Sequence, residues 1–180
     1  MATFAAALGA LAWAFVDERV RARALALGAL LAYFSLDDFV ELHERFGQEL
    51  ADAADLPEAV GARIWILIYL PLLALGGLLV WSIVPRTLPP IRRFQLAGLG
   101  LLVAAVLSEG LGVFTKALEE RGFESPHAVR AGVEEAVELA GWSLLAAGLF
   151  AAAYAALAQW HSPEPESVNP APSTGSNFQS

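Results

Sequence analysis

Four stretches of the chain, residues 23–46, 58–84, 91–118 and 127–160, are apolar over most of their length. At ~1.5 Å per residue each is long enough to cross a hydrocarbon core of ~30 Å. A backbone surrounded by lipid must satisfy its own hydrogen bonds, which restricts such a chain to helices or a closed barrel; runs of this length select helices. Composition agrees: 57% of the 180 residues are hydrophobic and the mean hydropathy is +0.54, too apolar for a soluble domain of this size. The expectation is an all-α integral membrane helical bundle in the cell membrane. It has about five transmembrane helices, four long ones plus a short first one, "MATFAAALGALAWAFV".

That first segment has no positive residues before its apolar run and is followed by "DERVRAR" in place of a cleavage site, so it reads as a retained span. At ~16 residues it is short for a full crossing. It must run on into Asp17–Arg19, lie beside thinned lipid, or sit at the periphery of the bundle. Pro57 opens the third segment, and Pro71 within it predicts a kink. From Ser162 the chain turns to "SPEPESVNPAPSTGSNFQS", which cannot build a core; the expected organisation is one bundle over 1–161 and a disordered tail over 162–180. Basic residues gather in alternate loops, Arg19, Arg21 and Arg23 in the first and Arg86, Arg92 and Arg93 in the third, while "GQELADAADLPEAVG" is acidic. The N-terminus is therefore expected outside and the tail in the cytoplasm.

Several functions are excluded at this level. Without cysteine there is no disulfide, thiolate ligand or thiol nucleophile. A net charge of −8 with no basic run speaks against nucleic acid. Membrane lipid is the expected partner, with a second membrane protein or a second copy of the chain left open.

The ionisable residues inside the apolar segments carry the functional signal. "SLDDFVELHERFG" places Asp37, Asp38, Glu41, His43 and Glu44 at the end of the second segment. Counted from Arg23, Asp37 lies ~21 Å and Glu44 ~31 Å along a straight helix, and Glu109 lies ~27 Å from Ile91. Glu134, Glu135 and Glu138 fall ~10 to 17 Å from His127, which enters from the other side. All three helices would then bring acids to the outer half of the bilayer. On a helical wheel Asp37, Glu41 and Glu44 form one stripe, flanked by Asp38 and His43, and His127, Glu134 and Glu138 form another. An acid facing lipid costs ~2.5 kcal/mol or more, so Glu109 should face the interior. Blander readings stand beside these: Glu41 with Arg45 and Arg130 with Glu134 are ordinary i,i+4 helix pairs, and His127 and His161 fit a loop and an interface. The tryptophans and Tyr33, Tyr69 and Tyr154 fit aromatic belts or packing. Ser108/Gly112 and Gly132/Ala136/Ala140 would let helices approach closely.

Three segments, "SLDDFVELHERFG", "LSEGLG" and "VEEAVELAGWSLLAAGLFAAAYAAL", resemble those of a group of small bacterial polytopic membrane proteins for which no activity is established. The resemblance covers most of residues 23–160 and falls on Asp37, Asp38, His43, Glu44, Glu109, Glu134, Glu135, Glu138 and Gly141. It supports the choice of residues and implies no reaction.

Carboxylates and one imidazole on neighbouring helices suit a divalent ion such as Mn, Fe or Zn, although the paired Glu-x-x-His of di-iron bundles is missing from the interior. The leading expectation is a metal site drawn from Asp37, Asp38, Glu41, His43, Glu44, Glu109, Glu134, Glu135 and Glu138, with chemistry on a lipid-soluble substrate. The alternatives are a non-catalytic membrane subunit whose acids meet a partner or lipid, and a proton or cation transporter.

Overall fold

The computed structural model describes residues 1–55, 58–111 and 126–161, and every regular element among them is a helix. In chain order they are α1 (Ala2–Val16), α2 (Arg21–Val40), α3 (Leu42–Ala53), α4 (Glu58–Ile83), a 3₁₀ turn (Val84–Arg86), α5 (Pro89–Leu111) and α6 (Pro126–Trp160). The expected tail over 162–180 lies outside the described residues. Three segments are long and apolar enough to cross a membrane, Tyr69–Arg86, Pro89–Ser108 and Ala128–Trp160, with Ala2–Val16 a shorter apolar helix. α2 falls short of that description because it carries Arg21, Arg23, Asp37 and Asp38.

Helix ends follow local chemistry. α1 stops at Val16 and does not continue into Asp17–Arg19; the Arg21 guanidinium Nε donates to the Ala14 carbonyl at 3.3 Å and so caps one of its orphan carbonyls. At the end of α4 the Arg23 guanidinium does the same for Ser82, and Pro85 cannot continue the helix. The Thr87 hydroxyl closes the 3₁₀ turn on the Val84 carbonyl at 2.7 Å, and Pro89 pre-sets the first turn of α5. α4 runs as one helix through Pro71.

Two features depart from the sequence reading. The segment expected as one helix over 23–46 is divided at Glu41, a left-handed residue with φ 55° and ψ 37°. The Glu41 N–H closes α2 on the Asp37 carbonyl at 2.7 Å, and its own carbonyl accepts the Arg45 N–H to open α3, so both backbone groups of the bend residue are paired. α3 then turns much of the expected acidic loop into helix. The second departure concerns α1, which is a packed member of the bundle: Ala6, Ala7, Ala10, Trp13 and Ala14 are buried, and α1 packs on both α2 and α6.

The helices form a ring in the order α6, α1, α2, α4, α5, with α5 returning to α6 and α3 lying on α4. Lipid tails are as apolar as the side chains they would replace, so helices associate in membranes through close packing more than through hydrophobic burial. Glycine supplies that closeness at specific crossings. A Cβ on Gly98 would lie 2.7 Å from the Gly141 carbonyl oxygen, and one on Gly148 would lie 2.6 Å from Gln95 Cγ, so α5 and α6 touch nearly backbone to backbone. Gly28 of α2 leaves room for Leu11 of α1. The expected Gly132 does not take part: a Cβ there would meet nothing within 4 Å. Gly112 lies outside the described residues.

Candidate functional site

Among the described residues, Asp37 is the one expected site residue that the structure buries, with 3% exposure. It sits in the last turn of α2 between α1 and α4, where α4 runs antiparallel and brings Tyr69 across. The Tyr69 hydroxyl, itself buried, donates to Asp37 Oδ1 at 2.9 Å and lies 2.9 Å from the Tyr33 hydroxyl. Tyr33 is one turn before Asp37 on α2, and its ring stacks on that of Tyr69 with centroids 6.3 Å apart. Tyr33 is the half-exposed end of this chain, so a line of hydroxyls runs from the bundle surface to a buried carboxylate. Next to it, the buried Thr3 hydroxyl of α1 donates to Asp38 Oδ2 at 3.2 Å, although Asp38 as a whole is exposed.

The acids of α6 have other partners. Glu134 accepts from Ser108 of α5 at 3.1 Å and pairs with Arg130 at 3.5 Å, so the i,i+4 pair read from the sequence is formed. Glu138 is exposed and accepts from Trp142 Nε1 at 3.0 Å, again one turn along the same helix. Glu135 is exposed. Glu41 is exposed at the bend, and among the described residues it forms no ion pair with Arg45. The side chains of His43, Glu44, Glu109 and His127 lie outside the described residues. Among the described residues no group of three histidines and acids is arranged to hold a metal ion.

Register explains why the described acids form separate sets. α1 and α6 run in the same direction, with Gly9 beside Leu149 and Phe150, so Thr3 falls level with the region of Ser143. Thr3 also fixes the level of Asp38. Glu138 and Glu134 therefore lie about 8 Å and about 13 Å further out along α6 than the Asp37–Asp38 pair, at the helical rise. Laterally, α1 stands between α2 and α6, which make no helix-to-helix contact among the described residues.

The sequence reading missed Tyr33 and Tyr69 by assigning them to belts or packing. One signal for Tyr33 was available, its i,i+4 spacing to Asp37. Tyr69 comes from a different helix, and no local spacing points to it. Gln95, fully buried between α5 and α6, was also missed; its amide Nε2 donates to the Gly148 carbonyl at 3.3 Å, and its Oε1 faces the Thr87 hydroxyl. It ties the 3₁₀ turn to α6 and has a structural role.

No curated protein and no solved structure matches this chain. A family model described as a domain of unknown function, DUF8692, matches residues 1–153, which takes in all the described helices except the last turns of α6. The chain belongs to the DUF8692 family.

Proposed function

We propose that this is a multi-pass protein of the cell membrane whose activity centres on Asp37 as the anionic group of an intramembrane cation site, with a divalent metal ion as its occupant. The observation that carries this reading is a carboxylate only 3% exposed, held at 2.9 Å by the buried hydroxyl of Tyr69 at the start of a segment long and apolar enough to cross a membrane. Ionisable groups at such depth are expensive and mark functional sites. Measured from Val20, at the level of the basic loop, Asp37 lies about 25 Å along α2, inside the outer half of a ~30 Å core. By the same scale Ser108, the partner of Glu134, lies about 28 Å along α5 from Pro89, which puts Glu134 near the outer edge of that core. The orientation we propose has the N-terminus outside and the tail in the cytoplasm. α3 then lies at the outer interface, with exposed Leu42, Phe46 and Leu50 on one stripe toward lipid, and Gly47 and Ala51 buried on another face.

Within this reading Asp37 and Asp38 supply hard oxygen ligands suited to Mn, Fe or Zn, and Tyr69 orients Asp37 as outer partners of metal ligands commonly do. His43 and Glu44, just past the bend, and Glu109 are the further ligands proposed. Glu41 borders the site, while Glu134, Glu135 and Glu138 belong to its outer rim. When bound, such an ion would activate water or redox chemistry on a lipid-soluble substrate. Elemental analysis of detergent-purified protein tests the proposal. Stoichiometric metal that is lost in Asp37→Asn and His43→Ala supports it; a metal-free protein that cannot be loaded with Mn, Fe or Zn refutes it.

The chain Tyr33–Tyr69–Asp37 favours one second reading, a proton carried on Asp37. Proton flux in proteoliposomes that is abolished by Asp37→Asn and strongly reduced by Tyr69→Phe, in a metal-free protein, would select it over the metal site.

A further inference from the structure

At the opposite end of the bundle a cleft of about 290 Å³ opens between the α1–α2 turn, the turn leading into α5, and the last turns of α6. Its rim carries Arg19 and Arg86, and its inner wall is apolar, formed by Trp13, Leu88, Ile91 and Ala156 among others. A second opening continues from it past Gln159 to Trp160. Trp160 and Trp81, both at this end, are largely exposed, as expected of indoles at a membrane–water boundary.

The arginines at this end divide into two groups. Arg21 is spent on Ala14 and Glu18, Arg23 on Ser82, and Arg92 on the Thr87 carbonyl. Arg19, Arg86 and Arg93 form no ion pair or side-chain hydrogen bond among the described residues, and of these Arg19 and Arg86 border the cleft. The acid that lines it, Asp17, is turned onto its own loop, where Oδ1 accepts the Arg19 backbone N–H at 2.9 Å. Glu18, at the second opening, is paired with Arg21. Two guanidinium groups at headgroup level above an apolar wall match a phosphate that carries acyl chains, because guanidinium binds phosphate through paired donors while the wall accepts the chain.

We propose that this cleft binds the phosphate of an anionic phospholipid between Arg19 and Arg86, with an acyl chain against the apolar wall. The full-length protein in neutral detergent is titrated with phosphatidylglycerol, phosphatidylcholine or inorganic phosphate, and bound lipid is read by native mass spectrometry alongside thermal unfolding. Phosphatidylglycerol is expected to be retained and to raise the unfolding temperature. Its affinity should fall roughly 25-fold in R19Q/R86Q, from about 1 kcal/mol per arginine near an anionic surface at 1.4 kcal/mol per tenfold. R19K/R86K, which keeps both charges, should recover most of the affinity, and Arg45→Gln at the far end should leave it unchanged. Equal binding of phosphatidylcholine, or phosphatidylglycerol affinity in R19Q/R86Q equal to that of the parent, would overturn the proposal. A thermal shift reproduced in full by inorganic phosphate would also overturn it, in favour of a soluble phosphate ligand.

Discussion

Replacing Tyr69 with Phe removes one buried oxygen from the middle of α4 and leaves the ring packing in place. That oxygen donates to Asp37 Oδ1 at 2.9 Å and meets the Tyr33 hydroxyl at the same distance. In soluble proteins a hydrogen bond to a charged group contributes about 1.5–3 kcal/mol. Measured pairs between membrane helices average ~0.6 and reach ~1.7 kcal/mol, because the unfolded chain in a membrane also finds partners. Here both Asp37 and Tyr69 are buried, so a loss near the top of the membrane range is expected, about 1–2 kcal/mol. Tyr33→Phe should cost less, under about 1 kcal/mol, since its hydroxyl sits at the half-exposed end of the chain. The assay is reversible unfolding in mixed micelles at rising denaturing detergent. A double-mutant cycle with Asp37→Leu isolates the pair, and the coupling energy should be about 1 kcal/mol. Tyr69→Phe losing less than about 0.3 kcal/mol, or losing as much in the Asp37→Leu background as in the parent, would show that the hydroxyl does not hold the carboxylate.

Two further perturbations probe the scaffold. In Gly98→Ala the new Cβ meets backbone atoms of Gly141 and Leu145 at 2.7 Å, which no rotamer change relieves, so a loss of about 1–3 kcal/mol in the same unfolding assay is expected. Gly132→Ala, with open space around it, should instead be neutral or gain up to about 1 kcal/mol from helix propensity. Glu41→Gly removes a left-handed strain of roughly 1–2 kcal/mol at an exposed side chain, offset by the greater freedom of glycine in the unfolded state. A net gain of up to about 1 kcal/mol is expected, again by unfolding.

The helices themselves were legible because an apolar run in lipid has few alternatives, and α4, α5 and α6 begin within a few residues of where Pro57, "VPRTLPP" and "RGFESPH" interrupt the sequence. Which small residues form the crossings was not legible. Glycine and alanine recur throughout this chain at spacings of three and four, and only the register of a helix pair decides that Gly98, Gly141 and Gly148 meet while Gly132 faces nothing. The packing of α1 was hidden for a related reason. Its length left a longer helix, thinned lipid or the periphery open, but its alanines let two longer helices pack against it from either side.

The placement of the acids shows where counting along a sequence loses its hold. Depth counted along each helix from the loop that begins it presumes a straight helix and loops that share a plane. Glu41 bends the chain just beyond Asp38, so residues after it no longer continue the axis of α2. α6 spans 35 residues, about 52 Å at the helical rise. Its first turns must therefore extend past a ~30 Å core if its last turns stay with the arginines at the other end. Glu134 and Glu138 lie toward the start of α6 and meet Ser108, Arg130 and Trp142 there. Asp37 is buried where Tyr69, reaching from α4, is opposite it, and the burial of that one carboxylate distinguishes α2 from the other acid-bearing helices among the described residues.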